Sequence, residues 1–157
     1  INGIGERCGN VPLEQFVAAM KFVYGRDLGI DTRKLKEASD MVEAFSGLVK
    51  PVNQPLVGRN AFSHESGIHV AAVLACPLTY ESIDPQLVGN ERHILMGKHT
   101  GLNYIRKRVD DTGLIATDDQ LWEILDRVKI IGEKKGRVND LEFREIVASV
   151  IRPVLTT

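Results

Sequence analysis

Helical periodicity is the feature that most constrains this chain, because apolar residues recur at intervals of three and four along most of it. The pattern is clearest after Thr117, which is followed three residues later by Gln120. This pairing is a capping box, which satisfies free amides at the start of a helix. Asn139 and Glu142 repeat the device, so the spacing predicts two capped helices. The apolar face of the first one consists of Leu121, Ile124, Leu125, Val128 and Ile131.

The other apolar stripes predict shorter helices. Asn10 is expected to cap the first of them, Thr32 to cap the second and Gly47 to end it. Asp84 and Pro85 indicate a single helical turn. The stripes are Leu13, Phe16, Val17, Met20 and Tyr24; Leu35, Ala38, Met41, Val42 and Phe45; the Ala-rich run 67–75; and Leu102, Ile105 and Val109.

The predicted fold class is mainly α, with a small antiparallel helical bundle in the last third of the chain. No segment alternates strongly enough to build a sheet. Ile1 and Ile4, set among glycines, are expected to form a strand end that runs into a tight loop. With no methionine at its start, the chain is expected to be cut from a longer protein.

Composition excludes several classes of function. A net charge of −1 argues against binding to nucleic acid, which needs an excess of Lys and Arg. No apolar run approaches the roughly 20 residues of a membrane span, and no signal peptide is visible. Cys8 and Cys76 are far apart and unpatterned, which is typical of reduced thiols in a cytoplasmic protein.

The stretch FSHESGIHVAAVLACPLTY carries the most reactive chemistry in the chain. If a helix includes Glu65 and His69, the two lie four residues apart and share a face. A carboxylate beside an imidazole is the arrangement that a general base needs, and Tyr80 could fold back over the same space. The alternative is that His69 packs under the helix, with its ring bonded to the backbone.

Two other segments have both a functional and a structural interpretation. In GIGERCGN the glycines let backbone approach a ligand, whereas Asn10 could simply cap a helix. In MGKHTG the start of a helix could hold an anion beside Lys98, or the segment could be a capping turn. Cys76, His93 and His99 lack the spacing of a zinc site.

Taken in order, three segments resemble the C-terminal part of the homocitrate synthase and isopropylmalate synthase family. They are NGIGERCGNVPLE, FSHESGIHVAAVLACPLTYESIDPQLVG and GKHTGLNYIRKRV. The resemblance implies that residues 1–30 are the end of a TIM barrel, comprising its last strand, loop and helix. It further implies a helical lid or linker subdomain over residues 31–95 and a C-terminal helical subdomain over residues 96–157.

The resemblance also implies a reaction, the condensation of acetyl-CoA with a 2-oxo acid followed by hydrolysis of the thioester. His69 would deprotonate acetyl-CoA, with Tyr80 as its partner over the substrate. Glu6, Arg7, Glu65 and Ser66 would face the substrate at the barrel mouth. A homodimer would complete each site, because the lid of one subunit lies across the barrel of the other.

A divalent metal (Zn, Mg or Mn) is implied as a cofactor, with Asn10 as one ligand. The other expected ligands would lie before Ile1, so the isolated chain is expected to be inactive. The run VAAVLACPLTY favours homocitrate synthase, which uses 2-oxoglutarate, whereas HESG and GKHTG are closer to isopropylmalate or citramalate synthase. Homocitrate synthase is the favoured interpretation, and a non-enzymatic helical dimerisation or interaction module is the alternative from another class.

Overall fold

The computed structural model describes residues 1–151, and the last six residues of the predicted C-terminal subdomain lie outside that range. The described chain is mainly helical, as predicted. Its α-helices are α1 (Leu13–Ala18), α2 (Leu35–Ser46), α3 (Gly67–Ala75), α4 (Leu102–Asp110), α5 (Asp118–Lys135) and α6 (Asp140–Val150). Two strands of two residues each, β1 (Ser63–His64) and β2 (His93–Ile94), form the one sheet of the described part.

The chain forms two compact units, and it passes from one to the other within each short strand. The first unit contains residues 1–63 and 77–93. The second contains residues 64–76 and the described chain from residue 94 onward. The division into three segments that the sequence suggested stays a prediction.

In the first unit, α1 continues as a π-helical segment, Ala19–Val23, instead of the uninterrupted α-helix that the apolar stripe predicts. A turn of 3₁₀-helix, Thr32–Lys34, leads into α2, and a second one, Pro85–Val88, follows Asp84 as predicted. Gly47 ends α2 in the left-handed conformation, as predicted. The apolar core of this unit consists of Val17, Leu35, Val57, Phe62 and Val88.

Two predicted caps in this unit are wrong. The side chain of Asp31, rather than that of Thr32, accepts the amide of Arg33, and Thr32 is buried. The cap position of α1 is Pro12, and no side chain bonds to the free amides there, so Asn10 does not cap this helix. The described opening segment also contains no strand, so the strand end expected around Ile1 and Ile4 is absent from it.

In the second unit, α4 packs against α5 and α5 packs against α6, which confirms a helical bundle. Both capping boxes are present, because Thr117 and Gln120 bond reciprocally before α5 and Asn139 and Glu142 do so before α6. The core of this unit is built around Ile105, Val109, Leu121, Ile124, Leu125, Val128 and Phe143. Within residues 1–151, no helix has both the length and the apolar character that a membrane crossing requires.

Candidate functional site

Helix α3 carries His69 on its exposed side. Val70 and Val73 lie three residues apart on this helix, so they share a face, and both are buried. His69 lies four residues before Val73, at the edge of this face, and is nevertheless exposed. The expectation that His69 is packed away under the helix is therefore wrong, because the residue is exposed.

Glu65 lies just before α3 rather than within it, because the helix begins at Gly67. Its carboxylate oxygen Oε1 accepts the backbone amide of His99 at 3.1 Å. The predicted pairing of Glu65 with His69 on one helical face is therefore wrong. Glu65 instead joins the start of α3 to the segment that precedes α4.

The starts of α3 and α4 lie against each other through two glycines. A Cβ atom on Gly67 would come within 2.8 Å of the Cα atom of Gly101, which is closer than real Cβ contacts allow. The amide of Gly67 also donates to the carbonyl of His99 at 3.2 Å. Only glycine permits this approach at both positions. The motifs SGIH and GKHTG therefore pack directly against each other in this unit.

An open groove of about 520 Å³ lies beside this contact, and the GKHTG segment forms a turn next to it. The hydroxyl of Thr100 accepts the amide of Gly97 at 2.8 Å and is buried in doing so. This contact favours the structural interpretation of the segment, a turn that leads into α4. The groove is lined by Ser66, Gly67, Ile68, Ala71, Gly101, Leu102 and Asn103.

Tyr80 belongs to the first unit, where it follows a 3₁₀ turn, Pro77–Thr79, and is 47% exposed. The next residue, Glu81, is buried and accepts hydrogen bonds from Nε of Arg92 at 2.8 and 3.0 Å and from Nη2 at 2.5 Å. The hydrogen bond with Glu81 raises the pKa of the Arg92 guanidinium. This ion pair holds the backbone next to Tyr80 in place while its ring stays accessible.

The opening loop carries Glu6, Arg7 and Asn10, all exposed. The amide of Asn10 donates to the carbonyl of Gly3 at 2.9 Å, which closes the loop. Its side chain lies against Gly5, where an added Cβ would come within 2.1 Å of Nδ2. The glycines therefore serve close backbone packing within the loop.

Glu14 holds the start of this loop, a role that the sequence analysis missed. The side chain is 1% exposed, and its two oxygens accept the amide of Asn2 at 3.2 and 3.1 Å. Gln54 donates to it at 2.9 Å, and Asn2 is bonded in turn to Ser39. No local pattern reveals these bonds, because Gln54 lies 40 residues away along the chain.

The structure groups the predicted site residues by unit. Glu65, Ser66 and His69 stand together at the start of α3 in the second unit. The first unit contains Tyr80 and the exposed loop residues Glu6, Arg7 and Asn10.

The donor atoms of the described residues decide whether this part of the chain can hold a metal ion by itself. The described residues contain no group of three His, Cys, Asp or Glu side chains arranged to hold a metal ion. Asn10 provides one amide oxygen, and a divalent cation needs several oxygen or nitrogen ligands. The described residues therefore do not fit a metal by themselves. Cys8 and Cys76 are exposed free thiols.

The helical fold and these motifs match a known class of domain. The family profile described as "homocitrate synthase post-HMGL domain-like" matches residues 56–136. That range includes all of α3, α4 and α5. The chain belongs to the homocitrate synthase and isopropylmalate synthase family.

Several relatives in this family are similar to nearly the whole chain. The homocitrate synthase AksA of Methanopyrus kandleri is 46% identical over 151 residues, which is 96% of this chain and 38% of that protein. A protein of the same organism, provisionally named (R)-citramalate synthase CimA, is 44% identical over 96% of this chain and 30% of its own length. A protein of Ignicoccus hospitalis, provisionally named 2-isopropylmalate synthase, is 43% identical over 96% of this chain and 38% of its own length.

The chain spans less than two fifths of the length of these relatives. Its two units therefore correspond to one part of a larger family member. Identities of 43–46% to proteins with three different names place the chain in the family without separating their substrates.

Proposed function

We propose that the protein containing this chain condenses acetyl-CoA with 2-oxoglutarate to form homocitrate, and that this chain contributes its lid. The observation that carries the proposal is the placement of His69, an exposed residue in the first turn of a helix that two buried valines fix in the second unit. The 46% identity to a homocitrate synthase supports the choice of reaction.

In the proposed reaction, His69 removes a proton from the methyl group of acetyl-CoA, the task of a general base. The electron pair of the broken C–H bond forms a new carbon–carbon bond to the ketone carbon of the 2-oxo acid. The ketone oxygen takes a proton and becomes a hydroxyl. Water then cleaves the thioester, which releases CoA and leaves a carboxylate. Tyr80, a half-exposed residue, is proposed to act beside His69 over the substrate.

The rest of the site is proposed to come from outside this chain. Residues 1–30 would end a TIM barrel whose active site lies at the loop-bearing face. Glu6 and Arg7 would face the substrate there, and Ser66 would approach it from the lid, whereas the carboxylate of Glu65, expected at the substrate, is bonded instead to the amide of His99. Asn10 would be one ligand of a divalent metal (Zn, Mg or Mn) held mainly by other residues, and no step is assigned to that metal here. A homodimer would bring the lid of one subunit over the barrel of the other.

Isopropylmalate synthase or citramalate synthase is the second candidate. It is supported by the 44% and 43% identities to proteins provisionally named for those activities, and by the segments HESG and GKHTG. The three reactions share the acetyl donor and the proposed base. They differ only in the 2-oxo acid, so the second candidate keeps the same roles for His69 and Tyr80.

The deciding experiment follows CoA release by the full-length protein, with acetyl-CoA and 2-oxoglutarate, 2-oxoisovalerate or pyruvate in turn. The highest kcat/KM is expected with 2-oxoglutarate, and His69→Ala should lower kcat by about 100-fold or more. Preference for 2-oxoisovalerate or pyruvate would select the second candidate. If His69→Ala is as active as the wild type, the lid mechanism is wrong and a helical interaction module becomes the better interpretation.

A further inference from the structure

We infer that Glu65 is a positioning residue, which sets the place of His69 by bonding the start of α3 to the segment before α4. The inference rests on the proposed function, because it gives His69 the role of base. Glu65 would affect the reaction by fixing the backbone that carries His69, and not by touching the substrate.

The connection between the two segments consists of two hydrogen bonds in opposite directions. Glu65 Oε1 accepts the amide of His99 at 3.1 Å, and the carbonyl of His99 accepts the amide of Gly67 at 3.2 Å. His99 is thus held through both of its backbone polar groups. His69 lies two residues beyond Gly67, within the first turn of α3, so its position follows directly from where this turn begins.

The segment that receives Glu65 is itself firmly fixed. The carbonyl of Met96 accepts the amide of Val138 at 2.8 Å, and Thr100 closes the turn by accepting the amide of Gly97. Gly132 of α5 lies so close that an added Cβ would stand 2.5 Å from the amide nitrogen of Lys98. Because this segment is held by α5 and by the chain before α6, it is a rigid support for α3.

The geometry shows which property of Glu65 matters. The carboxylate accepts an N–H group, so it must offer an oxygen at the right reach, whereas its negative charge is not needed for the bond. The space around it is tight, because a Cβ on Gly97 would come within 2.7 Å of Oε1. Aspartate, which is one methylene shorter than glutamate, would not reach the amide of His99. The isosteric glutamine would still offer it an oxygen.

The test uses the full-length protein and four variants, namely Glu65→Gln, Glu65→Asp, Glu65→Ala and the control Glu133→Ala. Glu133 is an exposed glutamate of α5 in the same unit. Glu65→Asp and Glu65→Ala should each lower kcat about tenfold, since small misplacement of a catalytic group is costly, while the KM for the 2-oxo acid stays within about threefold. Glu65→Gln and Glu133→Ala should stay within about twofold of the wild type.

The kcat values of these variants distinguish a positioning role of Glu65 from a purely structural role and from a role of its negative charge. A purely structural role would lower the melting temperature without the selective loss of kcat. If Glu65→Asp keeps the wild-type rate while Glu65→Gln loses it, the charge is what matters and the inference is overturned. It is also overturned if Glu65→Ala and Glu65→Asp are both as active as the wild type. His69→Ala, measured alongside, distinguishes the two failures, because an active His69→Ala removes the proposed function itself.

Discussion

Gly67 and Gly101 meet backbone to backbone, so that an added Cβ on either one would stand 2.8 or 2.9 Å from the Cα atom of the other. This contact sets the spacing between the start of α3 and the start of α4. It explains why a glycine stands in each motif at a position where neither backbone needs the left-handed conformation.

Gly67→Ala is expected to lower the free energy of unfolding of the second unit by about 1–3 kcal/mol, the usual cost of forcing extra volume into a packed contact. Urea unfolding followed by circular dichroism measures it. Ser66→Ala is the matched control, since Ser66 makes no capping bond, and it should change stability little. Equal stability of Gly67→Ala and the wild type would contradict this close approach.

Glu14 is a buried carboxylate held by an amide on each side, from Asn2 and from Gln54. Glu14→Ala removes both acceptors and leaves these donors without their partner, at an expected cost of about 2–4 kcal/mol of unfolding free energy. Glu14→Gln keeps one acceptor oxygen and should cost less. Thermal unfolding of the two variants tests this order, and a Gln variant less stable than the Ala variant would contradict it.

Lys50 is the most deeply placed ammonium group among the ion pairs described in the first unit, with a side chain that is 7% exposed. It donates to Asp40 and to Glu43, each at 2.5 Å. Lys50→Met should lower the free energy of unfolding by about 1–3 kcal/mol, since it leaves the partly buried Glu43 without its cation and removes one of the two cations bonded to Asp40. Lys34→Met is the control, because Lys34 and Glu37 form an exposed pair that should matter little.

The same cluster predicts a dependence on pH. Burial tends to raise the pKa of Asp40, but hydrogen bonds from Lys36 and Lys50 outweigh it and hold the pKa below the ordinary 3.8. Asp40 therefore contributes fully to the free energy of unfolding above its ordinary pKa. This contribution is lost as the pH falls through its lowered pKa. The stability difference between wild type and Lys50→Met should shrink from pH 7 to pH 3 in urea titrations. A difference that stays constant would contradict the assigned bonds.

Local signals in the sequence predicted several helix boundaries. The capping boxes at Thr117 and Asn139, the glycine stop at Gly47 and the turn after Asp84 depend only on neighbours within a few residues, so the sequence contains all that determines them. Burial was predicted less well. Phe45 belongs to the apolar stripe of α2 and is nevertheless 82% exposed, because periodicity defines a face without saying what covers it.

The candidate site was likewise predicted only in part from the sequence. The sequence picked out His69 and Tyr80 by their chemistry, and the structure leaves both side chains exposed. It paired Glu65 with His69 because helical spacing is the only relation that a sequence displays directly. The actual partner, His99, lies 34 residues away, so this bond exists only once α3 and α4 have packed together.

The Tyr80 hydroxyl gives the last prediction, which concerns activity alone. Tyr80→Phe removes one oxygen atom and keeps the ring of this half-exposed residue, and kcat of the full-length protein should fall about 10- to 100-fold, with circular dichroism to check that the fold is retained. Tyr24→Phe, at another exposed tyrosine of the same unit, is the control and should retain full activity.

The double variant Tyr80→Phe with His69→Ala tests whether the two side chains work together. Residues that act as a unit are strongly non-additive, so the double variant should be little slower than His69→Ala alone. CoA release under saturating acetyl-CoA and 2-oxo acid measures all four rates. If the two losses multiply in full, Tyr80 acts independently of His69, for example in binding, and the proposed partnership over the substrate is wrong.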